Sequence, residues 1–157
     1  MKYENIAIDI GDDYVAQITL YRAEKLNTFN TPMARELHQA FEELDREKRV
    51  RTLLIRGAGK AFSAGIDLEE FPDQTPMQYR EWIENMERPL STIARLNKPV
   101  VAQVHGVAAA NGAGLAAAAD VTLAAEEARI GLTAINVGLN CVGPVIPVSK
   151  CVGRKKA

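Results

Sequence analysis

KPVVAQVHGVAAANGAGLAAAAD, residues 98–120, is the stretch on which the fold turns. Pro99 to Val104 reads as a buried strand, His105 to Ala110 as a turn of small residues, and Asn111-Gly112 as the opening of a helix made almost wholly of alanine. An asparagine at a helix start can cap the first exposed N–H groups, and the glycine after it lets another group come close to the backbone. Helix starts also favour negative charge, because unpaired N–H groups and the macrodipole act together. Two readings stay open at this point: a small-residue helix packed tightly on a sheet, or amide donors aimed at a group that develops negative charge.

Upstream, Tyr3 to Ile10 and Tyr14 to Leu20 alternate apolar and polar positions around Gly11-Asp12-Asp13, which predicts a β-hairpin. Tyr21 to Asn30, containing Lys25-Leu26-Asn27, is irregular. Thr31-Pro32 then looks like an N-cap followed by proline at the first helical position, and Met33, Leu37, Ala40, Phe41 and Leu44 keep helical spacing to about Lys48. His38 falls off that stripe and is expected in solvent. Leu53-Leu54-Ile55 marks a strand expected to be buried on both faces. The loop from Gly57 to Leu68 is rich in small residues, but Gly57-Ala58-Gly59-Lys60 lacks the phosphate-loop spacing, which sets nucleotide hydrolysis aside.

Thr75-Pro76 repeats the cap-and-proline start ahead of a helix from Tyr79 to Leu96. Trp82, Met86, Leu90 and Ile93 form its apolar stripe, and Pro89 is expected to kink or split it. Beyond residue 120, Val121 to Ala124 and Ala128 to Gly131 read as short strands. Gly138 to Pro147 is expected to be irregular, with a last helical turn or two at Val148 to Val152. Alternating strands and helices argue for an α/β chain.

The 157 residues, 47% of them hydrophobic, suffice for one domain with a real core, taken as 1–157. With 19 basic and 20 acidic residues the net charge is −1, so composition offers no electrostatic case for a nucleic-acid partner. Cys141 and Cys151 have neither the number nor the spacing of a disulfide framework or a zinc site. No apolar stretch reaches the length that crosses a bilayer. The expectation is a cytoplasmic protein with reduced thiols, no metal and no membrane partner.

Two segments together, AFSAGIDLEEF (61–71) and the 98–120 stretch, resemble the crotonase family, also called the enoyl-CoA hydratase/isomerase family. Lys25-Leu26-Asn27, the Arg51 to Gly59 strand and turn, and ARIGLTAINVG (128–138) match in order and spacing. The resemblance implies an α/β spiral of ββα units that bends an acyl-CoA into a pocket, with coenzyme A entering as part of the substrate and no other cofactor. It implies two backbone N–H groups on the thioester oxygen, at Ile66 and at Asn111, where family members usually have glycine. Such donors are worth on the order of 3–4 kcal/mol each in a preorganised site. The Asn111 side chain would crowd the position or add a polar contact. Lys25 and Leu26 match the segment along the CoA nucleotide, with Lys25 a candidate phosphate contact. Ala64, Gly65, Asp67, Leu68 and Gly112 flank the two donors.

The chain also departs from the family. Hydratases in it use two glutamates, and the matching positions here are Gly114 and Ala134. A two-glutamate hydratase is therefore not expected. Asn136, Asn140 and Cys141 are candidates to lie near the thioester. Asparagine can orient a water but is no base, and Cys141 would need a lowered pKa. Glu69 and Glu70 are within reach of the pocket mouth but expected in solvent. Family members continue past a segment like Val148 to Ala157 into helices that cover the acyl pocket, so a homo-oligomer, trimer or hexamer by likeness, or further sequence is expected. Two other readings remain: a non-catalytic CoA-thioester binder or assembly subunit, and a peptidase-like use of the fold with Ser63 or Cys141 as nucleophile and His105 as base.

Overall fold

The computed structural model describes residues 3–70 and 75–157; Phe71, which ends the 61–71 motif, lies outside them. The hairpin forms as the alternation predicts. Strands β1 (Ile6–Ile10) and β2 (Val15–Leu20) pair antiparallel, with Ile6 opposite Leu20. After β2 the chain winds. Helix α1 (Thr31–Arg46), β3 (Thr52–Gly57), α2 (Pro76–Ile93), β4 (Val100–Val104), β5 (Val107–Ala109), α3 (Asn111–Ala118), β6 (Val121–Ala124), β7 (Arg129–Gly131) and α4 (Val142–Val152) follow in order. The main sheet runs β1-β2-β3-β4-β6, parallel at every step except the hairpin, and β5-β7 forms a second, parallel sheet.

The repeat is legible in this pairing. β4, β5 and α3 make one strand–strand–helix turn, and β6, β7 and α4 make the next. The two earlier turns keep the same path with their second strand reduced to single residues. Phe29 bridges Ile66, and Ser63 bridges Ala108 in β5, both parallel. The expected spiral of ββα units is thus present as four windings that share one parallel sheet.

Burial explains why it holds. Ile18 and Leu20 of β2, Leu53 and Ile55 of β3, and Val100 and Ala102 of β4 are fully buried against Met33, Leu37 and Phe41 of α1, with Phe29 and Phe62 filling the same core. Burying side chains of this size is worth roughly 1.5–3 kcal/mol each. β3 does not bury both faces: Leu54 is only half-buried, so the strand alternates.

Several local expectations are corrected. Asn30 rather than Thr31 caps α1, its Oδ1 accepting from Met33 N at 2.9 Å. Thr31 starts the helix and donates its N–H and its hydroxyl to Glu70 Oε2 at 2.7 and 2.8 Å. Glu70 is therefore held at a helix start, where the dipole favours its charge. His38 is half-buried, not solvated: Thr92 donates its hydroxyl to Arg88 O, so it accepts from His38 Nδ1 at 2.8 Å, which ties α1 to α2.

Thr75 and Gln78 form a full capping box at the start of α2, and the helix runs unbroken through Pro89. Pro89 is buried along with Trp82, Met86, Leu90 and Ile93, so the helix is not split there. The turn at 105–110 contains β5, too short to show a period. α4 begins at Val142, where irregular structure was expected, because Pro144 in its first turn gives up no helical bond.

Candidate functional site

A cavity of about 280 Å³ opens where three successive windings meet. Ile66 comes from the second, Ala110 and Asn111 from the third, and Ala134, Leu139, Asn140 and Cys141 from the fourth; Tyr79, Trp82, Met86 and Glu87 of α2 close one side. The walls are mostly apolar.

The loop before α2 is fixed from two directions. Ser63 donates its N–H to Val107 O and its hydroxyl to Asn27 O, while Ala109 N donates to Ser63 O. Two residues on, Phe29 N donates to Gly65 O at 2.7 Å and Asp67 N to Phe29 O at 2.8 Å. In a parallel ladder this bonding turns the N–H of Ile66 itself away from Phe29. Gly65 takes φ +104, a conformation other residues rarely adopt, with Ala109 O close behind it. The Ile66 N–H has no backbone acceptor among the described residues.

The start of α3 is built as tightly. Ala110, at φ 46 and ψ −112, bends the chain so that Asn111 opens the helix, and the Asn111 N–H likewise has no backbone acceptor among the described residues. Gly112 lies flat on the loop: a Cβ there would sit 2.4 Å from Ser63 O. The Asn111 side chain does not cap the helix. It is 2% exposed and donates Nδ2 to Met86 O at 2.9 Å, stapling α3 to α2.

The charged residues around the Ile66 loop pair with one another. Arg22 Nη2 meets Asp67 Oδ2 at 2.8 Å, with both side chains largely buried. Burial pushes the Asp67 carboxyl up, but the Arg22 guanidinium and the Glu69 N–H outweigh it and hold the group below its ordinary value. Lys25, exposed, pairs with Glu69. Leu26 and Asn27 take left-handed backbone, and the fully buried Asn27 side chain bonds Arg22 N, Ala58 O and Ala61 O, so this segment braces the loop. Ala64 N donates to Leu26 O, and Ala64 and Leu68 border a smaller depression that continues from Ile66 to Ala134.

The remaining candidates separate. Ala134 is buried in the cavity wall, and Asn140 and Cys141 line it, while Asn136 is exposed elsewhere. Gly114 is not at the cavity: a Cβ there would meet Leu90 Cδ2 at 2.6 Å and Pro144 at 3.0 Å, so its space is already filled. Ser63 is buried with its hydroxyl committed, and His105 Nε2 bonds Gly59 O in a different depression, so no nucleophile–base pair of Ser63 or Cys141 with His105 is assembled.

Glu87, which the sequence reading passed over, is the one carboxylate among the cavity-lining residues described. Its carboxyl group lies against Gly143, and burial pushes it above its ordinary value, the nearby Gly143 N–H offsetting part of that rise. No helix among the described residues is long and apolar enough to cross a membrane.

The enoyl-CoA hydratase/isomerase family model matches residues 11–157. The chain is 35% identical over 149 residues to the 1,2-epoxyphenylacetyl-CoA isomerase of Escherichia coli, covering 91% of this chain and 56% of that protein. It is 28% identical over 165 residues to the mitochondrial Delta(3,5)-Delta(2,4)-dienoyl-CoA isomerase of Rattus norvegicus, covering 98% of this chain and 50% of that one. Among solved structures, an enoyl-CoA hydratase of Mycobacterium smegmatis superposes with a TM-score of 0.93 at 34% identity, over 98% of this chain and 60% of its own length. The chain spans half to three-fifths of the length of these relatives. With the sequence match over nearly its whole length and the fold in agreement, the chain belongs to the enoyl-CoA hydratase/isomerase, or crotonase, family.

Proposed function

We propose that this protein binds an acyl-CoA thioester and stabilises its enolate between the N–H groups of Ile66 and Asn111. What supports this is that Ile66 and Asn111, whose backbone N–H groups have no backbone acceptor among the described residues, both line one apolar cavity. An enolate oxygen gains charge as it forms, and fixed donors in a water-poor pocket stabilise that charge without reorganising. The apolar walls suit an acyl chain, and the exposed Lys25, in the segment that matches the family's CoA-binding stretch, suits the nucleotide end of coenzyme A, which arrives with the substrate; no other cofactor is needed. The two isomerases among the relatives support an acyl-CoA substrate.

Hydration by two glutamates is not part of this reading, because Gly114 and Ala134 carry no carboxylate and the space at Gly114 is taken by Leu90 and Pro144. The same observation favours the second reading, a CoA-thioester binder without turnover. The homo-oligomer expected from the family fits the exposure of Val121 and Leu123 on β6, at the edge of the main sheet, and sedimentation of the full-length protein tests it. Calorimetric titration of the full-length protein with crotonyl-CoA and acetyl-CoA tests the site. Saturable binding that free coenzyme A only partly reproduces is expected, and absence of binding removes both readings.

A further inference from the structure

Resting on the thioester reading, we propose that Glu87 is the catalytic carboxylate of this site, transferring a proton to and from the acyl chain in place of the two glutamates this chain lacks. Glu87 lines the cavity shared by Ile66 and Asn111, and the residue before it, Met86, accepts the Asn111 side-chain hydrogen bond at 2.9 Å. The turn of α2 that bears the carboxylate is thus pinned to the residue that bears the second amide. The asparagine at 111 and the glutamate at 87 belong to one arrangement.

Gly143 completes it. A Cβ there would lie 2.5 Å from Glu87 Oε1, so the carboxyl group rests directly on the Gly143 backbone, whose N–H offsets part of the effect of burial. Glu87 makes no ion pair among the described residues. Tyr79 of α2 and Cys141 share its cavity, Lys150 of α4 shares the depression on its other side, and α3 contributes no titratable group. A half-buried carboxylate without an ion-pair partner among the described residues, on a residue that lines an apolar cavity, has the kind of environment from which proton-transfer groups are built.

The step balances without a co-reactant. The α-carbon–hydrogen bond of the thioester breaks, its proton forms an O–H bond on Glu87, and its electron pair moves onto the thioester oxygen between the two amides. In return the O–H bond breaks and a C–H bond forms at the α-carbon, or at the γ-carbon when the chain is β,γ-unsaturated. The first outcome is hydrogen exchange, the second a double-bond shift into conjugation.

3-Butenoyl-CoA in D2O, incubated with the full-length protein, separates the possibilities by mass spectrometry and by conversion to crotonyl-CoA. The wild-type protein is expected to incorporate deuterium, with a rate that rises with pH to a plateau through a midpoint above that of an ordinary glutamate. Glu87→Gln should lose at least ~100-fold in rate while its Kd for the CoA ester, measured by calorimetry, stays within about threefold because the amides remain. Glu87→Asp should keep part of the rate and the same form of pH profile. Asn111→Ala, which keeps its backbone amide and loses the staple, should lower the rate more than the affinity. Retention of rate by Glu87→Gln overturns the proposal, as does binding without exchange by the wild type, which leaves the thioester reading intact. Absence of wild-type binding overturns both.

Discussion

Replacing Gly112 by alanine probes the contact on which the two amides depend. A Cβ at this position would lie 2.4 Å from Ser63 O, 2.8 Å from Ser63 Cβ and 3.1 Å from the Ser63 carbonyl carbon. Two of these atoms are backbone, and Ser63 is held by Val107, Ala109 and Asn27, so no flexible side chain can yield. The start of α3 must move off the loop by at least about 0.6 Å to reach even the tightest contact real Cβ atoms make. Overpacking of this kind costs about 1–3 kcal/mol, against which alanine recovers up to about 1 kcal/mol of helix propensity.

The net loss expected is up to about 2 kcal/mol, a fall of up to roughly 1 M in the urea midpoint for a chain of this size. The same displacement separates the Ile66 and Asn111 amides, and misplacement on that scale is expected to weaken crotonyl-CoA binding or enolate formation by about 10- to 100-fold. Gly131→Ala, which would meet only Thr133 Cγ2 at 3.9 Å, is the neutral control. An unchanged midpoint and an unchanged Kd for Gly112→Ala would refute the reasoning, because the helix start would then not rest on the loop.

Asn27→Ala removes three hydrogen bonds from a fully buried side chain and leaves alanine at φ 53, so a loss of about 3–5 kcal/mol in urea denaturation is expected. Asp67→Asn breaks the pair with Arg22 and should cost about 2–3 kcal/mol at neutral pH. Because the folded Asp67 carboxyl sits below its ordinary 3.8, its contribution is present above that pH and disappears as pH falls through the lower folded value, so wild-type and variant stabilities should converge there. Gly114→Glu, the substitution that seems to restore a hydratase glutamate, should instead destabilise by at least about 1–3 kcal/mol against Leu90 and Pro144 and yield no crotonyl-CoA hydration; measurable hydration would show that Pro144 moves aside.

Periodicity carried the reading wherever an element was long enough to have one. The hairpin, α1 and α2 were legible because their apolar residues recur at spacings of two or of three and four over many positions, and Thr75-Pro76 announced its helix by chemistry alone. β5 was not legible: three residues inside a run of valine and alanine present no alternation, and its existence depends on pairing with Ser63 and with β7. The start of α4 was hidden because proline and glycine near a helix start look the same as in a loop.

At the cavity, Ile66 and Asn111 were found by resemblance, since backbone amides leave no mark in side-chain chemistry. Glu87 was missed for a physical reason. It sits on the shoulder of the α2 stripe, in the row Tyr79, Ile83, Glu87 beside the row Trp82, Met86, Leu90, where a carboxylate reads as solvent-facing unless the neighbouring helix is known. A row of two pocket-lining residues at four-residue spacing, continued by a glutamate, was the available signal.

The winding itself has a consequence for folding. Each turn of strand and helix rests on the one before, yet the cavity draws its walls from three consecutive turns whose contributions lie as far apart in sequence as Ile66 and Pro144. No shorter segment of the chain contains it, and a partly wound intermediate holding only the hairpin and the first two turns has one amide and no pocket. Ligand binding therefore reports on the completed coil as a whole, and during refolding it should appear only with the last kinetic phase, after the helical signal has already recovered.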